Sequence, residues 1–237
     1  MNYRFGGACV QKAPAKRFFC EDRILASCDH GTYFLCVSDG LGSCAQGHIG
    51  AYYAVRFFSE SACVRSIVKS HHPDQEFQKK IINYQKFLTQ KAKKYRCDIK
   101  DLSSTLVLVL VGSFGVMGFR VGDGFAVVRF ENSDVYQALF ASSKDAMDVT
   151  STLLSSDVSA SYFSSFVRPE FCFVSSDGLY GLTFDVKEML PYQAFFRSFE
   201  EGARVAKTIN PYVQRVLSAA SQKDPSDDKS VLVLLSR

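Results

Sequence analysis

Residues 105–130 read TLVLVLVGSFGVMGFRVGDGFAVVRF. Three runs within it, 105–111, 114–121 and 125–130, are built of leucine, β-branched and aromatic residues, and Gly, Asp or Ser bounds them, the composition of buried strands. The joints Gly112-Ser113 and Asp123-Gly124 are short and turn-like, which predicts an antiparallel meander of three successive strands. Runs of the same kind lie on either side, at 32–38 (TYFLCVS), 171–175 (FCFVS) and 231–235 (VLVLL). Each reads as a strand.

Helical patterns separate the strands. From Phe77 the apolar residues Phe77, Ile81, Tyr84, Leu88, Ala92 and Tyr95 recur at intervals of four and three, which places them on one face of a helix, with lysines largely elsewhere. Residues 48–70 predict a second helix, and 197–220 a third, interrupted near Asn210-Pro211. The stretch 142–165 holds eleven Ser or Thr and no sustained period, so a loop-rich insertion is expected there. No repeat is evident and no Pro/Gly linker divides the chain, which predicts a single domain over 1–237.

Composition narrows the class. An apolar fraction of 47% and a charged fraction of 22% exclude disordered and coiled-coil chains. No run is apolar for long enough to span a bilayer, and the opening MNYRFGGACVQKAPAKRFF lacks the apolar centre of a signal peptide, so a cytoplasmic protein without membrane contact is expected. The eight cysteines accordingly read as reduced thiols, and with no Cys-x-x-Cys pair a zinc ribbon is not indicated. The net charge of +4 is uneven: residues 69–100 hold nine Lys/Arg against three acidic residues, a local +6 on a mildly acidic remainder. No nucleic-acid motif accompanies these lysines, so they read as a solvated helix face and nucleic acid is not an expected partner.

The aspartates carry the chemistry. Asp39 ends FLCVSDG, Asp123 follows GFRVGDG, Asp177 follows FCFVSSDG, Asp227-Asp228 precede the last strand, and Glu21-Asp22 precede a strand-like ILAS. One Asp-Gly is ordinarily a turn. Asp39-Gly40, however, leads into a helix, not a partner strand, which a hairpin turn does not explain. Carboxylates gathered from distant segments would repel one another unless a cation neutralised them. With oxygen donors and no Cys or His in the set, that cation would be hard and octahedral, Mg²⁺ or Mn²⁺ before Zn²⁺. Gly40 would let the backbone turn sharply and bring its carbonyl near the ion.

In order along the chain, RFFCED (17–22), VSDGLGS (37–43), SSTLVLVLV (103–111), RVGDG (120–124), VSSDGLYG (174–181) and DDKSVLVL (227–234) resemble the motifs of the PP2C-type metal-dependent protein phosphatases, the PPM family, and most of all its compact bacterial members. The resemblance implies an α+β fold, a four-layer α/β/β/α sandwich of two mainly antiparallel sheets. It implies two Mn²⁺ or Mg²⁺ ions, with Asp39 bridging both, Asp177 and Asp227 completing one site, and Glu21 with the Gly40 carbonyl completing the other. Asp22 would hold a water on the metal, and Arg17 would grip the substrate phosphate through its planar fork of donors. The implied reaction is hydrolysis of a phosphomonoester on phosphoserine or phosphothreonine of a protein partner, by direct attack of a water bridging the two ions. A monomer is expected.

Several positions depart from the family pattern. Leu41 stands where many animal members carry a histidine, and His48 reads as the start of the next helix. A third metal would use Asp123, but Gly181 stands at the position of its second carboxylate. Two other functions compete with the enzyme: a catalytically silent PPM-fold protein that binds a phosphorylated partner, and a small-molecule phosphatase on the same site. Silent relatives lose ligands, whereas Glu21, Asp39, Asp177 and Asp227 are all present here.

Overall fold

The computed structural model describes residues 2–12, 19–140, 151–158, 160–185 and 188–237. The chain opens with β1 (Tyr3–Val10), β2 (Arg23–Asp29) and β3 (Thr32–Ser38), followed by α1 (Gly47–Phe58), α2 (Ser61–Val68) and α3 (Pro73–Tyr95). The middle holds β4 (Leu106–Gly112), β5 (Gly115–Val121), β6 (Phe125–Phe130), β7 (Gln137–Ala138), β8 (Ser161–Ser165) and β9 (Pro169–Ser175). After the short α4 (Tyr180–Thr183) and the dipeptide strands β10 (Phe184–Asp185) and β11 (Leu190–Pro191) come α5 (Gln193–Val205), α6 (Ile209–Lys223) and β12 (Lys229–Ser236).

Two five-stranded antiparallel sheets result, ordered β1-β12-β9-β6-β7 and β2-β3-β4-β5-β8. β4 shows why they stack. Its side chains alternate between faces: Leu106, Leu108 and Leu110 pack with residues of α1, α2 and α3, while Val107, Val109 and Val111 meet Val174, Leu232 and Leu234 of the other sheet. Both faces are covered, so the strand is apolar throughout. On the outer face of the first sheet, Phe173, Val231 and Val233 pack with Phe196, Phe199, Val213 and Leu217 of α5 and α6. The layers run helix, sheet, sheet, helix, the expected α+β sandwich.

The structure corrects several element boundaries. The predicted meander stops after two strands: β4 and β5 form a hairpin, but β6 crosses to the other sheet between β9 and β7. Gly122 sits at that crossing with φ +97°, a conformation that Gly adopts without steric cost. The helix expected over 48–70 is two helices, because Glu60 is extended (φ −63°, ψ 133°) and opens α2. The third helix breaks at 206–208, ahead of Asn210-Pro211. Pro211 lies in the first turn of α6, where its missing N–H has no intrahelical acceptor to lose. In α3 the positions Phe77 to Ala92 are buried, whereas Tyr95 is 40% exposed beyond the last packed turn. Within 142–165, residues 142–150 and 159 lie outside the described residues; 161–165 form β8 on the edge of a sheet, not loop.

Candidate metal centre

The carboxylates stand where strands end, at one end of the sandwich. Asp39 follows β3, Asp177 follows β9, Asp227 lies two residues before β12, Glu21 lies two residues before β2, and Asp123 occupies the crossing from β5 to β6. With Lys12, Gly40, Leu41, Gly42 and Thr105 they line a cleft of about 250 Å³. Asp39, Asp177 and Asp227 converge most closely, each offering an oxygen within 4.8 Å of the others.

Local hydrogen bonds hold this arrangement. The Asp39 N–H donates to Thr105 Oγ1 at 3.1 Å, and the Thr105 N–H donates to the Asp39 carbonyl at 2.8 Å. Gly40 N–H donates to the Glu21 carbonyl at 3.3 Å. A Cβ on Gly40 would fall within 2.3–2.6 Å of the Gly47 and His48 backbone. The glycine is therefore required by the close passage of α1 as well as by the turn. The buried Asp228 carboxylate accepts the Lys12 N–H at 2.8 Å and the Glu21 N–H on its other oxygen, tying both residues to the start of β12.

Concentrated negative charge defines the electrostatics. Burial pushes Asp22 up to about 6 despite its contacts with Asp39, Ser176 and Ser230. Burial, with the charges of Asp123, Asp227 and Asp22, pushes Asp177 up to about 7. Burial together with the Asp22 and Asp177 charges raises Asp39 well above the ordinary carboxylate range. Among the described residues, Asp22 Oδ1 and Asp177 Oδ1 are buried without a hydrogen-bond partner. Orphaned buried carboxylate oxygens in an all-oxygen cluster fit a hard divalent ion. Burial lowers the Lys12 ammonium, but the hydrogen bond to Glu21 and the charges of Asp227 and Asp228 outweigh it, so its net shift is upward.

Asp22 is 1% exposed, with Oδ2 accepting from Ser176 Oγ at 2.7 Å and its carboxyl beside that of Asp39. Arg17 lies outside the described residues. Asp123 shares the cleft, and no side chain approaches the Cβ position of Gly181. His48 is inside α1 with its ring centroid 3.8 Å from that of Phe19, and all eight cysteines are free thiols. Sequence reasoning missed Lys12, Thr105 and the positioning role of Asp228. The Asp227-Asp228 pair signalled the last, but nothing local marks Lys12.

A family model described as Protein phosphatase 2C matches residues 13–220. The chain belongs to the protein phosphatase 2C family. Solved structures of this fold include PppA, a key regulatory component of T6SS in Pseudomonas aeruginosa, with 18% identity and a TM-score of 0.68 over 100% of this chain and 99% of that one. The serine/threonine phosphatase Stp1 of Staphylococcus aureus is similar over 100% and 96%, with 13% identity and a TM-score of 0.71. The catalytic domain of the serine/threonine protein phosphatase PstP, in complex with two manganese ions, is similar over 98% and 97%, with 12% identity and a TM-score of 0.60. No curated protein matches the chain. At these identities the structural neighbours establish the fold of this protein phosphatase 2C member, and its cleft lies at the sheet ends.

Proposed function

We propose that this chain is a Mn²⁺- or Mg²⁺-dependent protein serine/threonine phosphatase that cleaves phosphomonoesters by direct attack of water. The observation that carries the reading is the convergence of Asp39, Asp177 and Asp227, with Glu21 and Gly40 on the same cleft and two carboxylate oxygens buried without partners. Divalent ions there would acidify water and neutralise phosphoryl charge. Asp39 would contact both ions, Asp177 and Asp227 one, and Glu21 with the Gly40 carbonyl the other. Asp228 and Thr105 hold Glu21 and Asp39 in register through the backbone. Arg17, four residues before Glu21, would bind the phosphoryl oxygens.

The cleft favours a protein substrate. Its volume of about 250 Å³ falls below the roughly 300–1,000 Å³ of sites that engulf a whole small molecule. A phosphoryl group and its ions fit inside while the rest of the substrate lies outside. The PstP complex with two manganese ions supports the choice of metal.

The test is phosphate release from p-nitrophenyl phosphate and from phosphoserine and phosphothreonine peptides, with and without Mn²⁺. Activity is expected to require the ion and to vanish with EDTA, and Asp39→Asn is expected to lower it at least about a hundredfold. Arg17→Ala is expected to raise KM while leaving Mn²⁺ binding nearly intact. Undiminished turnover in chelated protein, or full activity of the Asp39 variant, would overturn the assignment.

A further inference from the structure

Lys12 places a positive charge inside the carboxylate cleft. Its ammonium lies 3.1 Å from Glu21 Oε2 and 3.5 Å from Asp227 Oδ1. Its backbone is fixed, since the Lys12 N–H donates to the buried Asp228 at 2.8 Å, and Asp228 also accepts the Glu21 N–H. One anchor therefore sets both the lysine and the glutamate it pairs with. The two paired carboxylates belong to different halves of the proposed centre, Glu21 to one ion and Asp227 to the other. Glu21 is absent from the group whose oxygens converge, Asp39, Asp177 and Asp227.

We propose that Lys12 is a tethered competitor for divalent ions: the Asp39–Asp177–Asp227 group binds first, and an ion is held by Glu21 only when the ammonium leaves it. This inference rests on the metal-centre reading above. An ammonium and a divalent ion that need the same oxygen exclude each other, and each weakens the other by the same factor. The tether gives the ammonium a high local concentration at no translational cost. Lysine suits the task because its charge is compact, strongly hydrated and carried on a flexible four-carbon stem, so it can withdraw while the Asp228 anchor keeps the backbone in place. Among the described residues, five carboxylates line the cleft against this one ammonium, so the competition grades occupancy without abolishing it.

The experiment is calorimetric titration of Mn²⁺ into the metal-stripped chain, comparing the native sequence with Lys12→Met, Lys12→Gln and Lys12→Arg. The native chain is expected to show a tight and a weak class of site. Lys12→Met and Lys12→Gln should tighten the weak class at least about fivefold and the tight class by less, because the ammonium stands nearer Glu21, at 3.1 Å, than Asp227, at 3.5 Å. Lys12→Arg, which keeps the charge, should titrate close to the native chain. Circular dichroism of each metal-free variant checks folding, and two neutral variants keep the comparison available if one fails to fold. Native and neutral-variant isotherms that coincide, a shift confined to the tight class, or no Mn²⁺ uptake by any variant would overturn the proposal. Phosphate release is measured separately: an inactive native chain whose isotherm still tightens on removal of Lys12 would defeat the phosphatase reading and leave the competition standing.

Discussion

Gly40 shows how little freedom a single position at the centre has. Its neighbour Asp39 offers an oxygen to the convergent group, and the first turn of α1 runs so close that an added methyl would sit 2.3 Å from the Gly47 carbonyl carbon. Backbone lies on both sides, so relief requires moving α1 or the Asp39 loop. Gly40→Ala is expected to cost about 2 kcal/mol or more of stability and to weaken Mn²⁺ binding, measured by denaturant unfolding and titration of the same preparation. A variant with native stability and native binding would show that α1 is free to shift. Glu21, Asp39, Asp177 and Asp227 could be read from the chain because each is an acid at the edge of an apolar run, a local signal. Lys12 could not: it becomes part of the cleft through Asp228, 216 residues away, and nothing in QKAP announces that.

Elements are joined by a different kind of contact on the helix side of the first sheet. Glu200 of α5 is buried and accepts two hydrogen bonds from Arg129 of β6, at 2.7 and 3.0 Å, one from Arg204 at 2.7 Å and one from Tyr136 at 2.8 Å. Arg129 also binds Glu170 of β9 at 2.6 Å, so one helix and two strands share the network. Burial alone would raise Glu200, but the donors outweigh it and hold its carboxyl below the ordinary value of 4.5. A carboxylate with a depressed folded-state pKa adds stability that is present above the unfolded value and lost as pH falls through the folded one. The network's contribution is therefore expected to be complete at pH 7 and to fade below about pH 4.5. Glu200→Gln is expected to cost about 3 kcal/mol at pH 7 and much less at pH 3, read from urea unfolding at both pH values. A pH-independent difference would mean that packing, not charge, is lost. The same scale explains which elements the sequence hid. β1 is interrupted by Gly6-Gly7, which lower strand propensity, and β8 is a serine-rich edge strand with no fully buried residue, so it lacks the apolar run that marks the others. The β5–β6 crossing escaped because strands of both sheets are covered on two faces and carry the same apolar pattern.

At the scale of the whole molecule, a ligand that binds only the folded chain raises its stability by mass action. At a concentration 100-fold above its dissociation constant, Mn²⁺ is expected to add about 2.7 kcal/mol, which for a chain of this length raises Tm by roughly 5–10 °C. Differential scanning fluorimetry with Mn²⁺ and then EDTA checks this, and an unchanged Tm for the native chain alongside the Asp39→Asn variant would count against ion binding. The layered architecture was readable from strand composition and motif order, whereas which sheet each strand joins depends on contacts between residues far apart in the chain. One consequence concerns mechanics. Asp39 hangs from β3 of one sheet, and Asp177 and Asp227 from β9 and β12 of the other. A single ion shared among them is a rivet through two leaves, placed at one end of the sandwich, so the loaded molecule should resist shearing of its sheets there, while at the opposite end the leaves are held by softer clasps, the Tyr3 N–H donating to Tyr33 Oη at 3.3 Å and the Tyr3 ring set edge-on against that of Tyr33.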